Sequence, residues 1–146
     1  GLDYFFLSET EFRRRLVAGD FVEWEEVYPG RFYGTLRSEL ARITAQGQLP
    51  LFDVDVKGGL NLKQQFGARA LALFIEPPNL QVLEARLRAR GTDSPADVAT
   101  RLAKAEHELA FADLFDIRIV NNDLEAAIAE ALGHVQAFAS GPVWGQ

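Results

Sequence analysis

The chain has 146 residues, 48% of them apolar and 25% charged, with no Cys, no Met and a formal charge of −6. Such a length suits one domain able to bury about two-thirds of its unfolded surface, and the missing Cys excludes disulfides, thiolate zinc sites and a thiol nucleophile. No apolar run reaches the ~18 residues of a membrane span and no signal-peptide pattern opens the chain, so a cytoplasmic protein is expected; the acidic balance argues against a general nucleic-acid binder.

The start, Gly1-Leu2-Asp3-Tyr4, reads as the interior of a strand, and with no Met anywhere the expectation is that the natural N-terminus is absent. Tyr4 to Leu7 continues that strand, and Ser8 with Glu11 three residues on is a capping box for a helix that Gly19 closes. Phe21 to Tyr28 and Arg31 to Gly34 flank the turn dipeptide Pro29-Gly30 and predict an antiparallel hairpin. Thr35 is placed to cap a helix from Leu36 to about Gln46, stopped by Gly47. Leu51 to Val56, nearly all apolar, reads as a buried parallel strand. A helix over Asn61 to Phe66, a strand over Ala70 to Ile75 and a break at Pro77-Pro78 follow. Next come a helix from Leu80 to Arg90 ended by Gly91, and a helix opened by Ser94, Pro95 and Asp97 that runs to about Phe111. Ile117 to Val120 is the last strand, and Asp123 caps a final Ala-rich helix to Phe138 or Ala139, before a loose tail from Gly141.

An antiparallel aromatic segment thus precedes alternating strands and helices, the pattern of a three-layer α/β protein whose ligands gather at the carboxyl ends of parallel strands. Asp53 and Asp55 stand two apart near the end of one such strand. Either one caps the next helix or accepts main-chain donors, or one holds hydrated magnesium while the other accepts hydrogens from a ligand. Arg86 and Arg90 lie a turn apart, with Arg101 on the next helix. They form either a solvated face balanced by Glu84, Asp93 and Asp97, or a grip on a polyanion, whose oxygens suit forked guanidinium donors. Tyr4, Glu23, Tyr33 and Thr35 read as polar strand residues at the rim of the hairpin. His107 and His134 have no ligand-spaced partner, and no Gly-x-Ser-x-Gly, His-Glu-x-x-His or Gly-x-x-x-x-Gly-Lys-Ser/Thr motif occurs.

In order, Gly1-x-Asp3-Tyr4-x-Phe6, Phe21-Val22-Glu23-Trp24, Phe32-Tyr33-Gly34-Thr35, Asp53-Val54-Asp55-x-x-Gly58, Arg90-Gly91-Thr92 with Arg101, and Ile119-Val120-Asn121-Asn122-Asp123 resemble guanylate kinase over nearly the whole chain. The resemblance implies one domain, with an antiparallel GMP-binding lobe over about residues 1–34. The parallel core would span 35–85 and 105–140, and a helical lid about 86–104. It implies phosphoryl transfer from ATP to GMP with magnesium. Tyr4, Glu23, Tyr33, Thr35 and Asp55 would bind GMP, Asn121 and Arg90 would meet ATP, and Asp53 would orient magnesium through water. Arg86, Arg90 and Arg101 would be the catalytic lid arginines. GMP and ATP are the implied partners, with neither nucleic acid nor membrane. The family's first strand and Gly-rich phosphate loop are not among these residues, which predicts negligible activity for the polypeptide alone. The alternative is a non-catalytic guanylate-kinase-like interaction module, although it would have little use for a guanine site and a set of lid arginines.

Overall fold

The computed structural model describes residues 5–141, which fall into two compact units, one up to Leu62 and one from Lys63 onward.

The first unit starts with α1 (Glu9–Val17), whose N-cap Ser8 accepts from the Glu11 amide at 3.2 Å. Only half of the expected capping box forms. The Glu11 carboxylate turns to Arg14 and Arg15 (2.8 and 2.7 Å), because two guanidiniums outcompete one amide donor. β1 (Phe21–Tyr28) and β2 (Arg31–Leu36) pair antiparallel around Pro29-Gly30, where Gly30 takes φ +76°. Phe12 of α1 stacks on Phe21 (4.3 Å) and on Phe32 (5.2 Å), and with buried Val22 these rings form the core of this unit. α2 (Arg37–Ala45) follows β2 directly.

Three expectations fail in this unit. Residues 5–7 form no strand, and Phe5 and Phe6 are exposed. Thr35 does not cap α2: it lies inside β2, the N-cap is Leu36 with no side-chain bond, and the Thr35 hydroxyl is used across the hairpin instead. Leu51 to Asp55 is not a buried strand, and Leu51 is 87% exposed. A strand exists only where a neighbour completes its ladder, and the sheets among the described residues are β1–β2 and β3–β4, two strands each. Val56 instead enters α3 (Val56–Phe66), five residues ahead of the predicted start, because Asp55 Oδ1 accepts from the Gly58 amide at 2.8 Å and caps the helix there.

In the second unit β3 (Leu73–Glu76) and β4 (Ile117–Val120) run parallel with Leu73 opposite Ile117 and Glu76 opposite Val120. The strand starts later than Ala70, since Gly67–Arg69 form a 3-10 turn. Lys63 and Asp116 pair at 2.8 Å where the strands begin, the lysine also donating to the Ala70 carbonyl and the aspartate accepting from the Ala72 amide. Crossover from β3 to β4 uses α4 (Leu80–Arg90) and α5 (Pro95–Leu109), and α6 (Leu124–Ala139) follows β4. Their termini match the sequence signals closely. Gly91 takes the left-handed conformation (φ +67°) at the α4 C-cap, Ser94 and Asp97 form both bonds of a capping box, and Asp123 caps α6. Phe74, Leu87, Val98, Ala112, Ile119 and Ala127 are the buried apolar residues here. The fold is α/β as expected, with its parallel component, among the described residues, confined to β3 and β4.

Candidate functional site

The hairpin register decides which polar groups share a face. Glu23 lies opposite Thr35 and Glu25 opposite Tyr33, so period-two alternation sets these four on one side and Trp24 and Phe32 on the other. The Thr35 hydroxyl donates to Glu23 Oε1 at 2.8 Å. An ionised carboxylate can only accept, so the hydroxyl proton is committed to Glu23, and the threonine oxygen keeps its lone pairs. Both residues are half-buried and Tyr33 is 49% exposed. The structure thus brings together three of the residues predicted to meet a ligand. Tyr4 lies outside the described residues.

Gly34 makes this pairing possible. A Cβ there would stand 2.7 Å from the Glu23 carbonyl oxygen and 2.9 Å from both Phe21 Cδ1 and Trp24 Cβ. The two acids after the hairpin differ. Asp55 is half-buried and committed on one oxygen to the Gly58 amide, which is the capping role considered from its spacing. Asp53 is exposed and makes no hydrogen bond or ion pair among the described residues. No three acids or histidines gather into a metal cage among the described residues. An open carboxylate suits a magnesium ion that keeps most of its waters and takes its other ligands from phosphates.

In the second unit, Ile75, Pro77, Leu83, Arg86, Leu87, Arg90 and Asn121 line a cavity of about 210 Å³. It opens where β3 and β4 end, at the carboxyl edge of the parallel pair, as the sequence pattern requires. Four walls are apolar and the polar remainder consists of two arginines and an amide. Arg86 Nη1 donates to the Asn121 carbonyl (2.7 Å) and Nη2 to that of Asn122 (3.0 Å). Neither Arg86 nor Arg90 has a carboxylate partner among the described residues, whereas Arg88 between them is neutralised by Glu84 at 2.7 Å. The cavity therefore carries two uncompensated positive charges beside an apolar floor, a combination suited to a planar base with an anionic tail. Arg101, exposed on α5, pairs with Asp93 at 3.3 Å. Of the acids expected to balance this face, Glu84 meets Arg88 and Asp93 meets Arg101, while Arg90 is exposed.

Sequence reasoning missed the ion pair of Glu76 and Arg118. The glutamate is buried at the end of β3, and its carboxylate accepts from Arg118 Nη2 on β4 at 2.9 and 3.0 Å. Asp113 takes Arg118 Nη1 at 2.7 Å, and these partners hold the guanidinium above its ordinary pKa. The available signal was one charge of each sign in two otherwise apolar strands. Among the described residues no helix is long and apolar enough to cross a membrane.

These features define an α/β protein with a parallel β–α–β crossover and a polar antiparallel hairpin, and solved structures share that fold. Guanylate kinase from Anaplasma phagocytophilum superposes with a TM-score of 0.74 at 26% identity, covering 99% of this chain and 69% of that one. The guanylate kinase family profile matches residues 1–137. Guanylate kinase of Bacteroides fragilis is 52% identical over 138 residues, 94% of this chain and 68% of that protein. That of Salinibacter ruber is 49% identical over 140 residues, 96% and 74% of the two chains. The chain belongs to the guanylate kinase family of phosphotransferases.

Proposed function

We propose that this chain carries the GMP-binding and ATP-facing machinery of an enzyme that transfers the γ-phosphoryl group of ATP to GMP, giving ADP and GDP. The observation that carries this reading is the Glu23–Thr35 pair on the hairpin face. Guanine offers an N1–H and an exocyclic amine as donors and O6 and N7 as acceptors. On binding, Glu23 exchanges its single bond from Thr35 for bonds from the guanine donors, and the released Thr35 proton serves O6 or N7. Asp55 keeps an oxygen free of the Gly58 amide and is a second acceptor. Adenine has an unprotonated N1, which would leave a carboxylate facing a lone pair, so discrimination against AMP is built into the donor pattern. The phenols of Tyr4 and Tyr33 donate to the GMP phosphate.

On the ATP side, Asn121 contacts the base, and Arg90 and Arg101 neutralise charge spreading over the transferred phosphoryl group as the lid of about residues 86–104 closes. Arg86, which gives two of its five N–H donors to carbonyls, adds its positive field from the cavity wall. Asp53 would hold magnesium through water, and the ion would supply neutralisation of phosphate charge when bound with ATP. Phosphoryl transfer needs little covalent help, and positioning with electrostatics supplies most of the acceleration.

The 146 residues contain no Gly-x-x-x-x-Gly-Lys-Ser/Thr segment to cradle ATP phosphates. This polypeptide by itself is accordingly expected to show GMP kinase activity at background in a coupled ADP assay, and turnover above background would refute that expectation. Calorimetric titration tests the GMP site independently. GMP should bind at least about tenfold more tightly than AMP, and Glu23→Gln should remove most of that preference. Equal binding of the two nucleotides would overturn the guanine reading.

A further inference from the structure

The loop that joins β4 to α6 has an unusually complete set of main-chain partners. The Asn121 amide donates to the Glu76 carbonyl at 2.7 Å, and the Asn122 amide to the Val120 carbonyl at 2.9 Å. Both carbonyls of the pair go to one guanidinium, Arg86 Nη1 to Asn121 and Nη2 to Asn122. Asp123 then caps α6 by accepting from the Ala126 amide at 2.9 Å. The loop is therefore held from β3 on one side and from α4 on the other.

From this we infer that Arg86 is a positioning residue: it locks the 121–122 loop so that the Asn121 side chain is already presented to the cavity before nucleotide arrives. Three features support the assignment. Two adjacent carbonyls side by side match the planar fork of a guanidinium and cannot both be met in the same way by a single ammonium. The Arg86–Asn121 bond is part-buried and the Arg86–Asn122 bond exposed, and Arg86 lines the cavity together with Asn121, so the lock and the residue it holds share one wall. Arg90 lies one turn further along the same helix, so the fork also ties the helix carrying Arg90 to the loop carrying Asn121. Pre-ordering the loop removes an ordering cost from nucleotide binding.

This inference rests on the nucleotide reading above only for its ligand, and the experiment separates the two. Amide hydrogen exchange at Asn121 and Asn122 is measured by NMR in the wild-type chain, Arg86→Lys and Arg86→Gln, together with titrations of magnesium–ATP and of GMP. Melting temperatures ensure that exchange is read well below unfolding. Both variants should lose about tenfold in protection at Asn121 and weaken ATP by a similar factor, while GMP affinity stays at the wild-type value. Lysine keeps the charge but not the fork. If Arg86→Lys retains wild-type protection and ATP affinity while Arg86→Gln loses them, Arg86 acts by charge alone and the proposal fails. It also fails if protection falls with ATP affinity unmoved, since the contact is then merely structural. Absence of ATP-induced shifts at the cavity in the wild type would count against the nucleotide reading, leaving unchanged exchange in Arg86→Lys as the result that overturns the lock.

Discussion

Replacing Gly34 by Ala tests whether the hairpin is as tightly closed as its geometry indicates. The added methyl would sit 2.7 Å from the Glu23 carbonyl oxygen and 2.9 Å from Phe21 Cδ1 and Trp24 Cβ, all closer than carbon contacts tolerate. Neither a β1 main-chain oxygen nor a Cβ is the free end of a flexible side chain, so the strands themselves must separate. Overpacking of this kind costs about 1–3 kcal/mol. The opposing gain, lost freedom of the unfolded chain when Gly becomes Ala, is about 0.4–1 kcal/mol. The two terms leave a net destabilisation between about 0 and 2.6 kcal/mol, about 1.3 kcal/mol at their midpoints. Urea melting followed by Trp fluorescence reads it, because Trp24 faces the inserted methyl. GMP affinity should fall as well, since the same displacement moves Glu23 away from Thr35. A Gly34→Ala chain as stable as the wild type, or more stable, would refute the steric argument. Gly133 is the natural control: it lies within α6, and a Cβ there meets nothing within 4 Å, so Gly133→Ala should stabilise the chain by about 0.8–1 kcal/mol through helix propensity.

Arg118→Met leaves buried Glu76 without its guanidinium partner and should lower the melting temperature, less than in a fully buried pair because the arginine is 45% exposed. Glu76→Leu combined with Arg118→Met should recover most of that loss in a thermal melt, and a double variant no better than the single one would contradict the pairing argument. Asp55→Ala should lower stability by about 1 kcal/mol through loss of the α3 cap and also weaken GMP; a change in only one of the two readouts would separate capping from ligand binding. Acid titration follows from three carboxylates, one of them Glu39, whose pKa the Arg42 hydrogen bonds lower. Hydrogen bonds from Arg14 and Arg15 lower the Glu11 pKa to about 2, and those from the Ser94 side chain and amide hold Asp97 below the usual range. A carboxylate with a lowered folded-state pKa stabilises fully above its unfolded value and loses that contribution as pH falls through the folded one. Stability should therefore decline from about pH 5 towards pH 2, and Glu11→Gln should flatten the decline. An identical acid profile in that variant would remove Glu11 from the account.

Several elements were legible because their signals are local. The Ser94-Pro95-Asp97 cap, the Gly91 stop, the Pro29-Gly30 turn and the Asp123 cap each depend on groups within about four residues of one another, and each forms as read. The pairing of Glu23 with Thr35 was only partly legible, since Glu23 stood in the predicted hairpin and Thr35 directly after it, where it was expected to cap the next helix. Leu51 to Asp55 was misread because an apolar run has the composition of a buried strand whether or not a neighbour completes its ladder. Thr35 was misread because a hydroxyl can cap a helix locally or answer a carboxylate across a sheet, and charge-assisted bonding to Glu23 prevailed.

By itself the sequence determined the α/β class, the helix boundaries that carry cap and stop residues, and the residue types that make the family resemblance. Those properties depend on periodicity and short-range chemistry. Only the tertiary structure decided which groups are already engaged: the Thr35 proton goes to Glu23 and Arg86 grips the 121–122 carbonyls, while Arg90 stays without a carboxylate partner among the described residues. The physical reason is that a hydrogen bond is settled by competition among all groups within about 3 Å. Most of those groups come from distant parts of the chain, as with Arg86 and Asn121, 35 positions apart.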